Sequence, residues 1–364
     1  MKTITIIPNP TDASWIVTGP DGTTYCGRGK FASADHYKSL PDGVYKITWG
    51  DMPSLITPCS QTLDTVAGDG TYTFYGPYAR LLTALDEPMK ISGLTMTKHG
   101  LFGAVYNNDS RKYSALYRHA GNHPVCVYEG SEETIGQGVE YDGYVLFPGE
   151  CGYVLAWHPD PAPKGTVTRI KAVNWAVRLD LIGGIPHVFD TDKYHSCRLI
   201  NLVTGAETLM PGDGVVNMSI EHGNKIFAAM CNSDSGVAGG LSCSDGTLRR
   251  LSDCRCIVQF NGHRFYSNEN QVFRLDDHAL LREFDCEKIC HMDVNNGLLW
   301  ISGAGPDALW VVDSNWRVYD LYRFEEDSSS VGRRLFCGRV TNGYFSRNPG
   351  GVKGAAYQIL MPAV

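Results

Sequence analysis

The residues most able to do chemistry in this sequence are acids that recur in the loops of a repeated pattern. Carboxylates gathered around one concavity can hold a cation or a basic partner, and a suitably spaced pair can hydrolyse a glycosidic bond. The candidate binding acids are Asp109, Glu150, Asp190, Asp192, Asp234, Glu269, Asp307, Glu325 and Glu326. Acids are also common in exposed loops that only keep a protein in solution. The set therefore predicts a negative face and leaves its ligand open.

Cysteine and histidine are the other reactive side chains. The 12 cysteines are scattered through apolar runs and lack the paired Cys-x-x-Cys spacing of a structural zinc site. The segments most like metal ligands are Cys254–Cys256 and Cys286–His291, but free cysteine is commonly buried as a small apolar residue. We expect buried thiols made in a reducing compartment, no metal site and no cofactor. His99, His222 and His263 have no nucleophile placed beside them, so no catalytic residue is predicted.

Composition indicates the fold class and excludes some partners. The chain has 364 residues, 43% hydrophobic and 11% aromatic, with 40 glycines and few stretches that favour helices. An all-β protein is predicted. A formal charge of −7 disfavours nucleic acid as a partner. The start of the chain lacks the apolar core of a secretory signal, and no apolar run is long enough to insert into a membrane, so cytoplasmic synthesis is expected.

A hairpin motif recurs seven times through the larger part of the chain. Each copy is an apolar run, a tight turn containing glycine and a second apolar run, as in "VNNGLLWIS" at 294–302. The turn glycines stand roughly 35 to 46 residues apart. Asn-Gly, Asp-Gly and Gly-Gly suit two-residue turns, so each copy predicts two adjacent antiparallel strands. The turns lie at 98–102, 141–145, 182–186, 221–227, 260–265, 295–300 and 341–345.

A third and a fourth strand follow each hairpin, except that the last copy ends after its third strand, "AAYQILM". The segment "YARLLTALDEP" at 78–88 has the pattern of the other fourth strands and precedes the first copy. We therefore predict a seven-bladed β-propeller over residues 79–364, in which strand 80–85 completes the last blade. Six or eight blades, or a large sandwich, are the alternatives. A sandwich would require neither the regular period nor the shortened last copy.

Through these hairpins the region resembles β-propellers in general. It departs from their marked subfamilies, because it has no Trp-Asp dipeptide closing each blade, no kelch pattern and no sialidase-type Ser-x-Asp-x-Gly-x-x-Trp box. The functions of those subfamilies therefore do not carry over to this chain.

Residues 1–78 have a different sequence pattern, which predicts short strands separated by Pro-Asp-Gly and similar turns. The segment "LPDGVYKITWGDMPSLITPCSQT" resembles the PEGA-type and related immunoglobulin-like modules of bacterial and phage surface proteins. The residues that carry the resemblance are Leu40, Pro41, Gly43, Tyr45, Trp49, Pro53, Pro58, Gln61 and Thr62. It implies a small β-sandwich that serves as an interaction module without catalytic residues. Such modules usually follow a signal peptide, which a virion component released by lysis would not need.

Together these patterns predict a non-enzymatic binding or structural protein of a phage virion or comparable surface assembly, with a decoration, tail or adhesion role. Its partners are expected to be other proteins of the particle, with a glycan as a second candidate. One alternative is a carbohydrate-active hydrolase or lyase that uses two carboxylates at the mouth of the propeller. Another is a cytoplasmic scaffold.

Overall fold

The structure is a computed structural model in which every described element is a strand or a loop. The residues it describes are 2–33, 40–66, 70–85, 89–107, 113–119, 124–130, 134–149, 152–161, 164–192, 196–212, 214–231, 239–295, 297–305, 307–324, 336–341, 344–348 and 354–360. No helix in these ranges has the length and apolar character needed to cross a membrane.

The first seven strands form two sheets, which we call the front module. They are β1 (Lys2–Asn9), β2 (Ser14–Thr18), β3 (Thr24–Arg28), β4 (Phe31–Ala32), β5 (Val44–Trp49), β6 (Gln61–Asp64) and β7 (Gly70–Pro77). One sheet has the order β4-β1-β7, with β1 and β7 parallel, and the other has the order β3-β2-β5-β6.

Alternation of apolar and polar residues explains how the two sheets pack. Along β5 every second side chain is buried, and β2 shows the same period, so each strand has one apolar face. Trp15 and Trp49 are each only 4% exposed and share one core with Phe74 of the other sheet. A Cβ atom added at Gly27 would lie 2.5 Å from the Trp15 ring. Glycine is therefore required there to admit the indole.

The remaining described strands form seven four-stranded antiparallel sheets, which we call the ring. Their bounds, sheet by sheet, are β9 (Met89–Thr97), β10 (Gly100–Asn107), β11 (Ser114–His119) and β12 (Pro124–Gly130); β13 (Val139–Tyr141), β14 (Tyr144–Phe147), β15 (Tyr153–His158) and β16 (Thr166–Ala172); β17 (Trp175–Ile182), β18 (Ile185–Thr191), β19 (Cys197–Asn201) and β20 (Glu207–Met210); β21 (Val215–His222), β22 (Lys225–Cys231), β23 (Gly240–Cys243) and β24 (Leu248–Arg250); β25 (Ile257–Phe260), β26 (His263–Asn268), β27 (Gln271–Arg274) and β28 (Leu280–Glu283); β29 (Lys288–Asn295), β30 (Leu298–Ala304), β31 (Asp307–Val312) and β32 (Val318–Phe324); and β33 (Phe336–Thr341), β34 (Tyr344–Asn348) and β35 (Ala355–Ile359) with β8 (Ala79–Ala84).

Two-residue turns join the first and second strands of several sheets. Tyr141 pairs with Tyr144 across Asp142-Gly143, and Phe260 pairs with His263 across Asn261-Gly262. Both central residues of each turn have positive φ, between 48° and 80°. This is the type I′ turn, whose twist matches that of the flanking strands. The hairpin signal in the sequence therefore corresponds to a defined backbone geometry.

The sheets follow one another around a closed circuit. The first strands of consecutive sheets contact each other in chain order from β9 to β33, and β33 also contacts β9. The last sheet takes its outer strand from upstream, because β8 pairs antiparallel with β35 between Ala355 and Ala84 and between Ile359 and Ala79. Such a circuit leaves only short outer strands as sheet edges.

Hydrogen bonds between neighbouring inner strands repeat with the sheet period. The Thr95 hydroxyl accepts a bond from the Gly138 amide at 2.8 Å, and the Ser219 hydroxyl donates to Asp180 at 2.5 Å. The two members of each pair are 43 and 39 residues apart. The first sheet is thus tied to the second, and the third to the fourth, through polar groups as well as through apolar packing.

The front module docks on the outer edges of the sixth and seventh sheets. The Cys59 amide donates to the Leu321 carbonyl of β32 at 2.7 Å, and the Ile56 amide donates to the Ala79 carbonyl of β8 at 2.7 Å. The Tyr322 hydroxyl donates to the Pro77 carbonyl. One hydrophobic core runs from the front module into these two sheets. The module is therefore packed against the ring along its side.

Candidate functional site

Asp190, one of the predicted binding acids, has a structural role in the fold. It lies near the end of β18, is 1% exposed and accepts hydrogen bonds from the Asn174 amide at 2.8 Å, the Asn174 side chain at 2.9 Å and the Trp175 amide at 3.0 Å. Arg198 donates to the same carboxylate at 2.9 Å. Asp190 therefore holds the connection between β16 and β17 in place, and its oxygens face protein groups.

Two more of the predicted acids lie in described loops between second and third strands. The Asp192 carboxylate accepts a bond from the Ser196 amide at 3.0 Å and shapes its own loop. Glu269 is exposed in the turn between β26 and β27 and has φ of 53°, a left-handed conformation. Of the three predicted acids whose side chains are described, Glu269 alone is exposed and has no side-chain hydrogen bond or ion pair with the described residues.

The other predicted acids contribute no side-chain distances to the site. Asp307 is the first residue of β31, and nothing further is described of its side chain. Five of the predicted acids lie outside the described residues: Asp109, Glu150, Asp234, Glu325 and Glu326. An acidic mouth of the propeller therefore stays a prediction. Asp190 is an exception among these acids, because its carboxylate already accepts hydrogen bonds from Asn174 and Arg198.

Ten cysteines of the described ranges form no disulfide, and nine of these ten are at least partly buried. Burial raises the pKa of the Cys197 and Cys256 thiols to about 12 and that of the Cys254 thiol well above its usual value. No group of three or more cysteine, histidine or acidic side chains that could hold a metal lies within the described part of the chain.

Thiol alkylation checks this arrangement. At pH 8 in the native state we expect iodoacetamide to modify the exposed Cys26 rapidly and to leave Cys197, Cys254 and Cys256 unmodified until the protein is unfolded, because only thiolates react. Peptide mass spectrometry after timed alkylation measures this. Equal rates for Cys26 and Cys256 would contradict the burial of the second thiol.

A large cavity lies between the front module and the ring. It is a groove of about 950 Å³ that the structure forms from β6 and β7 on one side and the ends of β28 and β32 on the other. Its described charged lining comprises three arginines and four carboxylates: Arg282, Arg317, Arg323, Asp64, Glu283, Asp285 and Asp320. Polar groups with mixed charge suit a peptide better than a small apolar ligand.

Two of these arginines are already engaged. The Arg317 guanidinium lies 4.2 Å from the centre of the Tyr72 ring and donates to the Thr71 carbonyl at 2.8 Å. Arg323 donates to Asp285 at 2.8 Å. By contrast, the side chain of Arg282 has no hydrogen-bond or ion-pair partner among the residues that the structure describes. Arg282 is thus available to a ligand.

An apolar recess of about 100 Å³ lies beside the groove, between the fifth and sixth sheets. Phe284, Trp316 and Val318 line both spaces, so the recess adjoins the groove. Trp316 has φ of 62° in the turn before β32, at a position comparable to that of Gly246 in the turn before β24. Because a bulky residue rarely adopts positive φ, the packing of its ring against Phe260 and Phe265 must stabilise this turn.

Sequence reasoning missed Arg282, Trp316 and Arg317 as site residues. The one available signal was a tryptophan where a glycine suits the turn before the fourth strand. Arg317 contacts Thr71, 246 residues away, and no local pattern predicts such a contact.

Comparison with known structures identifies the fold of the ring. The WD40 β-propeller domain of Doa1 aligns with a TM-score of 0.54 and 11% identity, over 77% of this chain and 97% of that chain. The C-terminal WD40 domain of Sif2 aligns with a TM-score of 0.51 and 10% identity, over 77% of this chain and 98% of that chain. No protein-family model and no curated protein matches the sequence.

The chain is therefore an all-β protein with a β-propeller fold. It shares this fold with WD40 domains although its sequence lacks their Trp-Asp dipeptides. At about one residue in ten identical, the likeness defines the fold and leaves the function to be argued from the site.

Proposed function

We propose that this chain is a non-enzymatic binding protein in which a small sandwich is joined rigidly to a seven-bladed propeller. The sandwich, of the immunoglobulin-like PEGA type, comprises residues 1–78 and the propeller comprises residues 79–364. The observation that carries the proposal is the continuous core between the two. Tyr75 of β7 meets Tyr319 of β32 edge to face at 5.6 Å, inside the core that both parts share.

A rigid join supports a role in assembly. Two parts that share a core move as one body, so docking through one fixes the orientation of the other. We favour the sandwich as the anchor and the propeller as the part presented to a partner, because the loops and edges of the propeller offer the larger surface. The groove between them, with its mixed charges, is then the best-defined surface for a protein partner.

The alternative, a glycan hydrolase or lyase, requires two carboxylates about 5 to 10 Å apart around the scissile bond. Asp190, the predicted acid with the most complete set of partners, is used inside the fold, so it is not proposed as a member of such a pair.

The proposed setting is the surface of a virion or comparable particle, reached after synthesis in the cytoplasm. Quantitative mass spectrometry of particles purified from the source on a density gradient tests it. We expect the chain to sediment with the particles at a constant ratio to their main structural protein. Recovery of the chain only in the particle-free cytosol would favour a cytoplasmic scaffold and reject the proposed setting.

A further inference from the structure

The front module already covers the edges of two sheets. Ile56 pairs with Ala79 on the edge of the seventh sheet, and Cys59 bonds Leu321 on the edge of the sixth. The adjacent edge belongs to β28, the outer strand of the fifth sheet, and one side of its backbone has no strand partner among the described residues. Two residues of this strand, Arg282 and Glu283, line the groove.

We propose that the outer edge of β28 binds an extended peptide segment of a protein partner, which enters the groove and adds a fifth strand to the fifth sheet. The proposal rests on the binding function argued above and assigns that function a place and a chemistry. In this mode main-chain hydrogen bonds supply affinity, and pockets for alternate side chains supply specificity.

The exposed side chains of β28 favour a binding partner that covers this edge. All four residues of the strand are exposed, including Leu280 at 51% and Leu281 at 38%. Natural proteins protect open edges that carry apolar side chains, because such edges pair with other chains. The corresponding strand β24 of the fourth sheet carries arginines at its two exposed positions, Arg249 and Arg250.

The recess beside β28 sets the first requirement on the peptide. Leu281 and Phe284 of the fifth sheet and Ile301 and Trp316 of the sixth enclose it. A volume of about 100 Å³ walled by these side chains fits one aliphatic side chain of the added strand. We expect a leucine, isoleucine or valine at this position.

Charge sets the second requirement. Arg282 borders both the recess and the groove and is the lining arginine without a partner in the described part of the chain. A carboxylate close to the aliphatic residue of the peptide can pair with this guanidinium in a charge-assisted hydrogen bond. The expected ligand is an extended segment with an aliphatic residue and a neighbouring aspartate or glutamate.

Selection from a random nine-residue peptide library against the full-length protein tests the inference. Enriched peptides are synthesised and titrated by fluorescence polarisation. We expect alternating sequences with an aliphatic and an acidic residue, bound with micromolar dissociation constants. Arg282→Glu should weaken binding at least about tenfold. Arg249→Glu, which changes the equivalent edge residue outside the groove, should alter it less than about twofold.

Methylation of the peptide backbone separates strand addition from other modes. N-methyl groups on the amides that face β28 should reduce affinity about tenfold or more, and those on the alternate amides should not. Failure to enrich any peptide sensitive to Arg282→Glu, or equal tolerance of methylation at every amide, would overturn the proposal. Self-association that Arg282→Glu abolishes would instead assign the edge to a second copy of the chain. A negative particle test with positive peptide binding would reject the setting alone.

Discussion

Replacing Tyr322 with alanine is expected to lower the free energy of unfolding by about 3–5 kcal/mol, the usual cost of truncating a large buried aromatic side chain. Tyr322 is 2% exposed on β32, its ring stacks on Phe345 of the seventh sheet, and its hydroxyl donates to the Pro77 carbonyl of the front module. One side chain thus joins the sixth sheet, the seventh sheet and the front module. Guanidinium denaturation followed by tryptophan fluorescence measures the loss.

Two variants separate the contributions. Tyr322→Phe keeps the ring and leaves the Pro77 carbonyl without its donor, so we expect a loss of about 1–3 kcal/mol. Tyr266→Ala removes a ring of equal burial that stacks on Phe273 in the fifth sheet, away from the front module. It should destabilise the ring to a similar extent.

The reactivity of Cys59 reports on the docking itself. Burial raises the pKa of this thiol, and its backbone amide bonds the residue before Tyr322. We expect Tyr322→Ala to accelerate alkylation of Cys59 under native conditions, whereas Tyr266→Ala should not. Equal rates in the two variants, or a loss of less than about 1 kcal/mol in Tyr322→Ala, would show that the module is not held through this residue.

The second large effect is expected at Asp190. Asp190→Ala removes the acceptor of four hydrogen bonds and leaves the Asn174 and Trp175 amides and the Arg198 guanidinium without it. Removing one partner of a buried charged network costs about 3–5 kcal/mol, because the remaining groups stay desolvated. Denaturation measures the loss, and amide exchange at residues 174 and 175 should accelerate.

A double-mutant cycle attributes this effect. Arg198 is 35% exposed and also pairs with Glu207 at 3.0 Å, so Arg198→Ala alone should cost less than Asp190→Ala. The loss in the double variant should fall short of the sum by about 0.5–3 kcal/mol, since the two side chains share one network. If Asp190→Ala were as stable as the parent chain, the four hydrogen bonds to this carboxylate would not hold the connection between β16 and β17 in place.

The candidate site shows where sequence reasoning stopped. Acids in the loops were visible as residue types, but the sequence could not tell the solvent-facing Glu269 from the buried Asp190. The difference arises because Asn174, in the connection between β16 and β17, and Arg198 of β19 converge on one of these carboxylates. Side-chain partners from different strands are set by packing, which a single run of sequence does not encode.

The sequence by itself determined the local conformation of many turns and strands. Asp142-Gly143 and Asn261-Gly262 favour type I′ turns wherever they stand, and the alternation of apolar residues assigns one face of a strand such as β5 to a core. These preferences act over two to eight residues, so they can be interpreted without a structure.

Only the tertiary structure decided how the front module meets the ring. The contact of Arg317 with Thr71, the bond from Tyr322 to Pro77 and the groove beside β28 all join segments that lie far apart in the chain. Shape complementarity and burial select such pairs, and apolar packing has no directional preference that a sequence pattern could reveal.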